Sequence, residues 1–146
     1  MIYGPGMRPQ TWLARLDQAC EEGEARSWVK WTGALSLIHV EDFVDALLFA
    51  ANAPQEVFER SLRHHTYLTA GETLSLGEIV RLMRKRHHRP APMIPGTPLR
   101  KLAELFLPIL PFTVKAALFP IWTVNDQPWR ALGWRPHHTF RDWLAE

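Results

Sequence analysis

Apolar residues recur at helical spacing in the first part of the chain. Within Pro9–Glu22 they form an i, i+1, i+4, i+7, i+8 stripe, and Gly23 follows at a position typical of a helix end. After Gly33, the segment Ala34–Val40 is a short aliphatic and β-branched run, which predicts a strand. The pattern therefore predicts an amphipathic helix followed by a buried strand.

The middle of the chain predicts two further helices and a strand. Asp42–Asn52 has apolar residues on nearly all sides, and a helix of this kind needs neighbours on most of its surface. Thr66–Thr69 is a strand candidate. Ser75 and Glu78 then match a capping box, which predicts a helix that ends before Pro90.

Prolines interrupt the apolar stretch that follows. They divide it into two short predicted helices, Pro98–Phe106 and Phe112–Phe119. These helices form either a lid over a ligand or part of the core. Two short helices close the chain, one capped by Asn125 and Asp126 and the last capped by Thr139.

The elements together predict one helix-rich α/β domain over residues 1–146, with a few short strands and about six to seven helices. A formal charge of only +2 argues against a nucleic-acid partner. The single cysteine, Cys20, cannot close an intramolecular disulfide, which favours a reducing, cytoplasmic setting. No uncharged run reaches the roughly twenty residues that a membrane span needs.

Histidines are frequent but do not predict a metal centre. Six of the seven form the adjacent pairs 64–65, 87–88 and 137–138, and neighbouring side chains point in different directions. There is no His-Glu-x-x-His motif and no Gly-x-Ser-x-Gly elbow. We therefore expect no metal site, and the residues identify no catalytic nucleophile.

Four short motifs occur in a fixed order across nearly the whole chain. They are Ile2-Tyr-Gly-Pro-Gly6, Leu37-Ile-His-Val-Glu-Asp42, Tyr67-Leu-Thr-Ala-Gly-Glu-Thr-Leu-Ser75 and Leu132-Gly-Trp-Arg-Pro136. This series resembles the C-terminal, substrate-binding half of the extended short-chain dehydrogenase/reductases, the NAD-dependent epimerase/dehydratase family. The resemblance implies a fragment of a Rossmann-type fold that acts with NAD or NADP.

The resemblance assigns ligand contacts to the first turn. Tyr3, Gly4 and Pro5 would border the nicotinamide, and Met7 and Arg8 would contact the substrate. A glycine-rich turn also suits close backbone approach to a ligand, although it can equally be a simple strand-ending turn, with Tyr3 packed on the first helix and Arg8 solvated.

Three further motif residues have expected structural roles. His39 is expected to be a buried histidine that is satisfied by the backbone, and Asp42 is expected to cap the helix that follows it. Gly71 is expected to permit a turn.

Two parts that the family needs are missing from the sequence. The eight glycines include no Gly-x-x-Gly-x-x-Gly loop for the pyrophosphate, and neither Tyr3 nor Tyr67 belongs to a Tyr-x-x-x-Lys pair. The N-terminal cofactor-binding half is thus expected to be absent, with Met1 an internal start in a longer reading frame. We expect this chain alone to bind no cofactor and to be catalytically incomplete.

The substrate is expected to be a small molecule other than a nucleotide sugar. Leu35 stands where nucleotide-sugar members carry a diphosphate-binding arginine, and Val114, next to Lys115, falls near the place of another. The leading hypothesis is the substrate half of an oxidoreductase or epimerase that pairs with its missing half or with a second copy. The alternative is a non-catalytic protein-binding or assembly module.

Overall fold

A computed structural model describes residues 1–56, 71–89, 93–106, 108–111, 114–115, 118–119 and 123–145. The predicted strand Thr66–Thr69 lies outside the described residues, and the predicted helix Phe112–Phe119 lies only partly within them. The helix-rich α/β class is confirmed, with six α-helices and a few short strands in the described part.

The α-helices, numbered in chain order, are α1 (Trp12–Glu22), α2 (Val40–Asn52), α3 (Leu76–Arg86), α4 (Thr97–Leu105), α5 (Gln127–Ala131) and α6 (Phe140–Ala145). The strands are β1 (Ile2–Tyr3), β2 (Val29–Lys30), β3 (Ala34–His39), β4 (Glu72–Ser75) and β5 (Ile94–Pro95). A short 3-10 helix covers Ala25–Trp28.

Two small sheets organise these elements. In the first, β1 pairs parallel with β3, and β3 pairs antiparallel with β4. The register places Tyr3 opposite His39, so the carboxyl ends of β1 and β3 lie side by side. The chain crosses from β1 to β3 through α1, as parallel pairing requires. In the second sheet, β2 pairs parallel with β5.

Local capping explains several helix boundaries. The side chain of Thr11 accepts a hydrogen bond from the backbone of Ala14, and Gly23 ends α1 in a left-handed conformation with φ of 75°. At α3, Ser75 Oγ accepts from the backbone N–H of Glu78 at 3.1 Å, as the capping box predicted.

The main hydrophobic core joins the first sheet to α1, α3 and α6. Its buried members include Leu13, Leu37, Ile79, Met83 and Phe140. A second and smaller cluster contains Ile38, Ala46, Trp129 and Trp134, and attaches α2 to the α5 region. The larger core is thus closed by elements of this chain.

α2 is covered on only part of its surface. Ala46 is buried, whereas Val44, Leu47 and Leu48 are 48%, 54% and 55% exposed. An almost uniformly apolar helix was expected to need neighbours on most sides, and the side formed by Val44, Leu47 and Leu48 is the one that lacks them among the described residues. Within the described residues, no helix has the length and apolar character that a bilayer crossing demands.

Candidate functional site

The turn after β1 packs its backbone against the end of β3. Gly4 has φ of +133°, which L side chains rarely adopt, and its carbonyl accepts a hydrogen bond from the backbone of Met7 at 3.2 Å. A Cβ atom at Gly4 would come within 2.8 Å of Val40 Cγ1 and 2.9 Å of His39 Nε2. Glycine is therefore required for the close approach of the turn to His39.

Tyr3 belongs to the core. It is only 2% exposed, and its ring lies edge-on to His39 and Phe140, with centroids 5.3 and 5.1 Å apart. Its hydroxyl has no hydrogen-bond partner within the described residues. Burial raises the pKa of this hydroxyl well above its usual value, and nearby carboxylates add to the effect. The side chain of Tyr3 is thus packed in the core, and its ring contacts include those to His39 and to Phe140 of α6.

The two residues expected to contact substrate differ in their surroundings. Met7 is half-buried and packs against the main core. Arg8 is exposed, and its carbonyl accepts a hydrogen bond from the backbone of Thr11 at 3.0 Å. Arg8 is thus the more accessible of the two to a ligand beside the Gly4-Pro5 turn. Pro5 is exposed there as well.

His39 takes the capping role that was expected of Asp42. The helix begins at Val40, and Nδ1 of His39 accepts a hydrogen bond from the backbone of Glu41 at 3.4 Å. As expected, His39 is buried and makes a backbone contact. The prediction of an Asp42 cap was wrong because the helix begins at Val40, so that Asp42 lies inside its first turn and its carboxylate binds His137 and His138 instead.

Asp42 instead connects α2 to the C-terminal segment. Its fully buried carboxylate accepts hydrogen bonds from the backbone N–H groups of His137 and His138 at 2.9 and 3.0 Å, and from Nδ1 of His138 at 3.0 Å. Burial would raise the pKa of Asp42, but these hydrogen bonds outweigh it, so its pKa lies below the usual value. Asp42 is therefore ionised and holds His138 in place.

The ring of His138 completes a small polar cluster with His39 and Glu41. It stacks on His39 with ring centroids 4.3 Å apart, and its Nε2 lies 3.3 Å from Oε2 of Glu41. One ligand-type atom from each of these three residues lies within 4.8 Å of the other two. Two imidazoles and a carboxylate form a donor set that can bind a divalent metal ion.

Sequence reasoning missed this cluster. In the sequence the histidines stand out as adjacent pairs. In the structure His39, at the end of β3, instead lies beside His138, which precedes α6. The only local signal was the spacing of His39 and Glu41. The third member could not be identified without the tertiary fold.

Gly71 marks a close contact beside β3. Its N–H donates to the carbonyl of Leu37 at 2.7 Å, and a Cβ atom at Gly71 would lie 3.1 Å from that oxygen. Its own carbonyl accepts a hydrogen bond from Arg130 Nη2 at 3.1 Å. The preceding motif residue, Tyr67, lies outside the described residues.

A separate cleft of about 590 Å³ lies between α3 and α6. Its lining includes the basic residues Arg81, Lys85, Arg86 and Arg141. Glu78 lies 3.8 Å from Arg81 and 3.5 Å from Arg141, which partly offsets the positive charge. None of the residues assigned to the first turn lines this cleft.

Searches with protein-family models, curated proteins and solved structures give no match to this chain.

Proposed function

We propose that this chain is the substrate-binding half of an NAD(P)-dependent oxidoreductase or epimerase of the extended short-chain dehydrogenase/reductase type. The observation that carries the proposal is the parallel β1–β3 pair, at whose carboxyl end the Gly4-Pro5 turn lies against His39. Open α/β sheets bind ligands at this end of their parallel strands. The motif order along the chain supports the same assignment.

In this proposal the first turn carries the ligand contacts. The backbone of Gly4 and Pro5 borders the nicotinamide of NAD or NADP, with Tyr3 supporting the turn from the core. Arg8 contacts the substrate from the surface, and Met7 holds the loop on the core. His39, Asp42 and Gly71 maintain the geometry around this turn, because each makes a close contact to a neighbouring segment.

The substrate in this proposal is a small carbonyl or alcohol compound rather than a nucleotide sugar. Leu35 is buried in β3 and is only 2% exposed, so the position offers neither charge nor access to a diphosphate. A cytoplasmic location belongs to the same proposal, since Cys20 is a buried free thiol.

Hydride chemistry requires groups from another polypeptide segment. The sequence has no glycine-rich pyrophosphate loop and no Tyr-x-x-x-Lys pair, in which the lysine lowers the tyrosine pKa for proton transfer. The half-exposed face formed by Val44, Leu47 and Leu48 is the surface that we assign to that segment. We name these three residues the α2 face.

The second candidate function is a non-catalytic assembly module. It is favoured by a second exposed apolar surface on α4, where Leu99, Leu102 and Leu105 are between 42% and 74% exposed. This candidate predicts a protein partner without a cofactor site. The two candidates therefore differ in what the partner contains.

The test is to identify the partner segment and measure its cofactor binding. The tagged chain is used to capture proteins from its own source, and the DNA preceding the Met1 codon is read in all frames. We expect a glycine-rich βαβ segment with Tyr-x-x-x-Lys, and saturable NADH or NADPH binding by the assembly. A partner that lacks both motifs and binds neither cofactor would contradict the proposal and support the assembly module.

A matched pair of variants strengthens this experiment. Leu48→Asp is expected to prevent capture, because it places a charge in the α2 face, whereas Asp45→Asn, which keeps the shape of a polar side chain at the edge of that face, is expected to leave capture unchanged. In the assembled protein, Arg8→Ala is expected to lower kcat/KM without changing cofactor affinity. An unchanged kcat/KM would remove Arg8 from the substrate site.

A further inference from the structure

We propose that His39, Glu41 and His138 form a binding site for one divalent transition-metal ion of the zinc type, with Asp42 as the residue that orients His138. This site is independent of the proposed cofactor chemistry. It rests on the hydrogen-bonding requirements of the His138 ring, on the separations within the cluster and on the buried partner behind it.

The two nitrogens of His138 face two carboxylates. Nδ1 lies 3.0 Å from Oδ1 of Asp42, and a carboxylate only accepts hydrogen bonds, so Nδ1 carries a proton. Nε2 lies 3.3 Å from Oε2 of Glu41, which is also only an acceptor. Nε2 of His138 and Oε2 of Glu41 thus face each other, and both are ligand atoms of the kind that a zinc-type cation binds.

The separation of the two atoms suits metal ligands. Ligand bonds of about 2.0–2.1 Å in a tetrahedral zinc site place neighbouring ligand atoms about 3.4 Å apart. The 3.3 Å between Nε2 of His138 and Oε2 of Glu41 is close to this value. His39 supplies the third ligand, since its ligand atom lies within 4.8 Å of both others.

The ring of His39 retains capacity for a metal ion. The hydrogen bond that its Nδ1 accepts from the backbone of Glu41 is 3.4 Å long, which is longer than typical N–H contacts. Two histidines and one glutamate form a ligand set found in catalytic zinc sites, where a fourth position is open to water or substrate.

Asp42 supplies the support that metal-binding histidines generally require. A ligating imidazole usually donates its other N–H to a carboxylate, which fixes the tautomer and orients the ring. Asp42 is fully buried, and the backbone N–H groups of His137 and His138 hold its carboxylate in place. Nε2 of His138 is thereby directed towards the cluster before any ion binds.

Charge and access are also compatible with a cation. The positive end of the α2 dipole opposes a cation, but the carboxylates of Glu41 and Asp42 both lie in its first turn and compensate for it. The side chains of Glu41 and His138 are 65% and 37% exposed, whereas His39 is buried. An ion can therefore enter from the Glu41 side.

The first experiment is a titration of chelator-treated protein with Zn²⁺ by calorimetry, and with Co²⁺ by visible absorption. We expect one ion per chain and the absorption of a four-coordinate Co²⁺ site. His138→Ala is expected to weaken binding by at least about a hundredfold, and Asp42→Asn by about 10–100-fold, the usual effect of removing an orienting carboxylate. Absence of Zn²⁺ binding by the wild-type chain would overturn the proposal.

Matched controls separate the site from surface histidines. His137→Ala keeps the backbone N–H that donates to Asp42 and removes only an exposed ring, so binding should be unchanged. Glu41→Gln changes an exposed side chain and should weaken binding without lowering the melting temperature. Binding that persists in His138→Ala but disappears in a His87→Ala/His88→Ala variant would contradict the assignment.

Nitrogen NMR of His138 gives a readout that loss of folding cannot imitate. On addition of Zn²⁺, we expect the Nε2 resonance to move to the metal-bound range while Nδ1 stays protonated. A doubly protonated His138 ring whose signals do not respond to Zn²⁺ would show that a proton occupies the place assigned to the ion, and would overturn the proposal.

Discussion

Helices α2 and α3 have similar lengths but opposite surroundings. α3 contributes to the main core a set of buried apolar side chains, namely Leu76, Ile79, Val80, Leu82 and Met83. α2 is the more apolar helix in composition, yet it buries only Asp42 and Ala46. The more polar helix is thus the better covered one.

The difference lies in which elements cover each helix. α3 lies between α1, β4 and α6, all of which belong to this chain. α2 contacts β3 and β1 on one side, and Val44, Leu47 and Leu48 remain about half exposed on another. We therefore expect substitutions in α3 to affect folding and substitutions in the α2 face to affect association.

The largest expected effect comes from a charge placed in each helix. Ile79→Asp buries an unpaired carboxylate in the main core and should destabilise the fold by about 4 kcal/mol or more. Leu48→Asp places the same group at a half-exposed position and should change stability by less than about 0.5 kcal/mol. Urea unfolding followed by circular dichroism measures both, and equal losses would remove the distinction between the helices.

A second test concerns the buried cation at the end of α3. Arg84 is 5% exposed, and its guanidinium donates to the carbonyls of Ser27 and Arg89 at 3.2 and 3.0 Å. Arg84→Ala should cost about 2–3 kcal/mol, because a buried acceptor at Ser27 and a partly buried one at Arg89 lose their donor. Arg81→Ala, on the exposed side of the same helix, should cost less than about 0.5 kcal/mol. Similar melting temperatures for the two variants would contradict this account.

A third test concerns the buried polar anchor of α2. Asp42→Asn keeps the shape of the side chain but replaces one acceptor oxygen by a donor that faces N–H groups of His137 and His138. We expect a loss of about 1–3 kcal/mol in thermal unfolding. Asp45→Asn is the control, since Asp45 is exposed, and it should unfold like the wild type. A stable Asp42→Asn variant would show that the carboxylate of Asp42 is not needed to hold the C-terminal segment.

The smallest effect concerns the thiol on α1. Burial raises the pKa of Cys20 to about 12, with Asp17 adding to the effect. Because the folded pKa exceeds the ordinary value, this group's contribution to stability is complete below about pH 9 and is lost as the pH rises above it. Labelling of the native protein with a thiol reagent should stay slow through pH 9. Rapid labelling near pH 8 would show that the main core opens readily.

Much of the local structure could be predicted from the sequence. The apolar stripe of α1 and the end of that helix at Gly23 are set by residues close in sequence. The same is true of the Ser75 cap of α3 and the Thr139 cap of α6. At α6, Thr139 Oγ1 accepts a hydrogen bond from the backbone of Asp142. These signals lie within a few residues of the element that they define. They could therefore be identified without the fold.

The features that could not be predicted depend on contacts between distant segments. The pairing of β2 with β5 involves two-residue strands that have no clear pattern of their own. The His39, Glu41 and His138 cluster forms only when the C-terminal segment packs on the start of α2. The ligand contacts assigned to the turn after β1 stay predictions, since they concern a cofactor, a substrate and a partner segment.

Cofactor titration tests most directly the central claim that the α2 face is completed by the segment that holds the cofactor. NADH and NADPH fluorescence is measured with the chain alone and with the assembly that it forms. We expect no saturable change with the chain alone, saturable binding by the assembly, and loss of that binding when Leu48→Asp prevents assembly. Micromolar binding by the isolated chain, or an assembly that binds neither cofactor, would contradict the account.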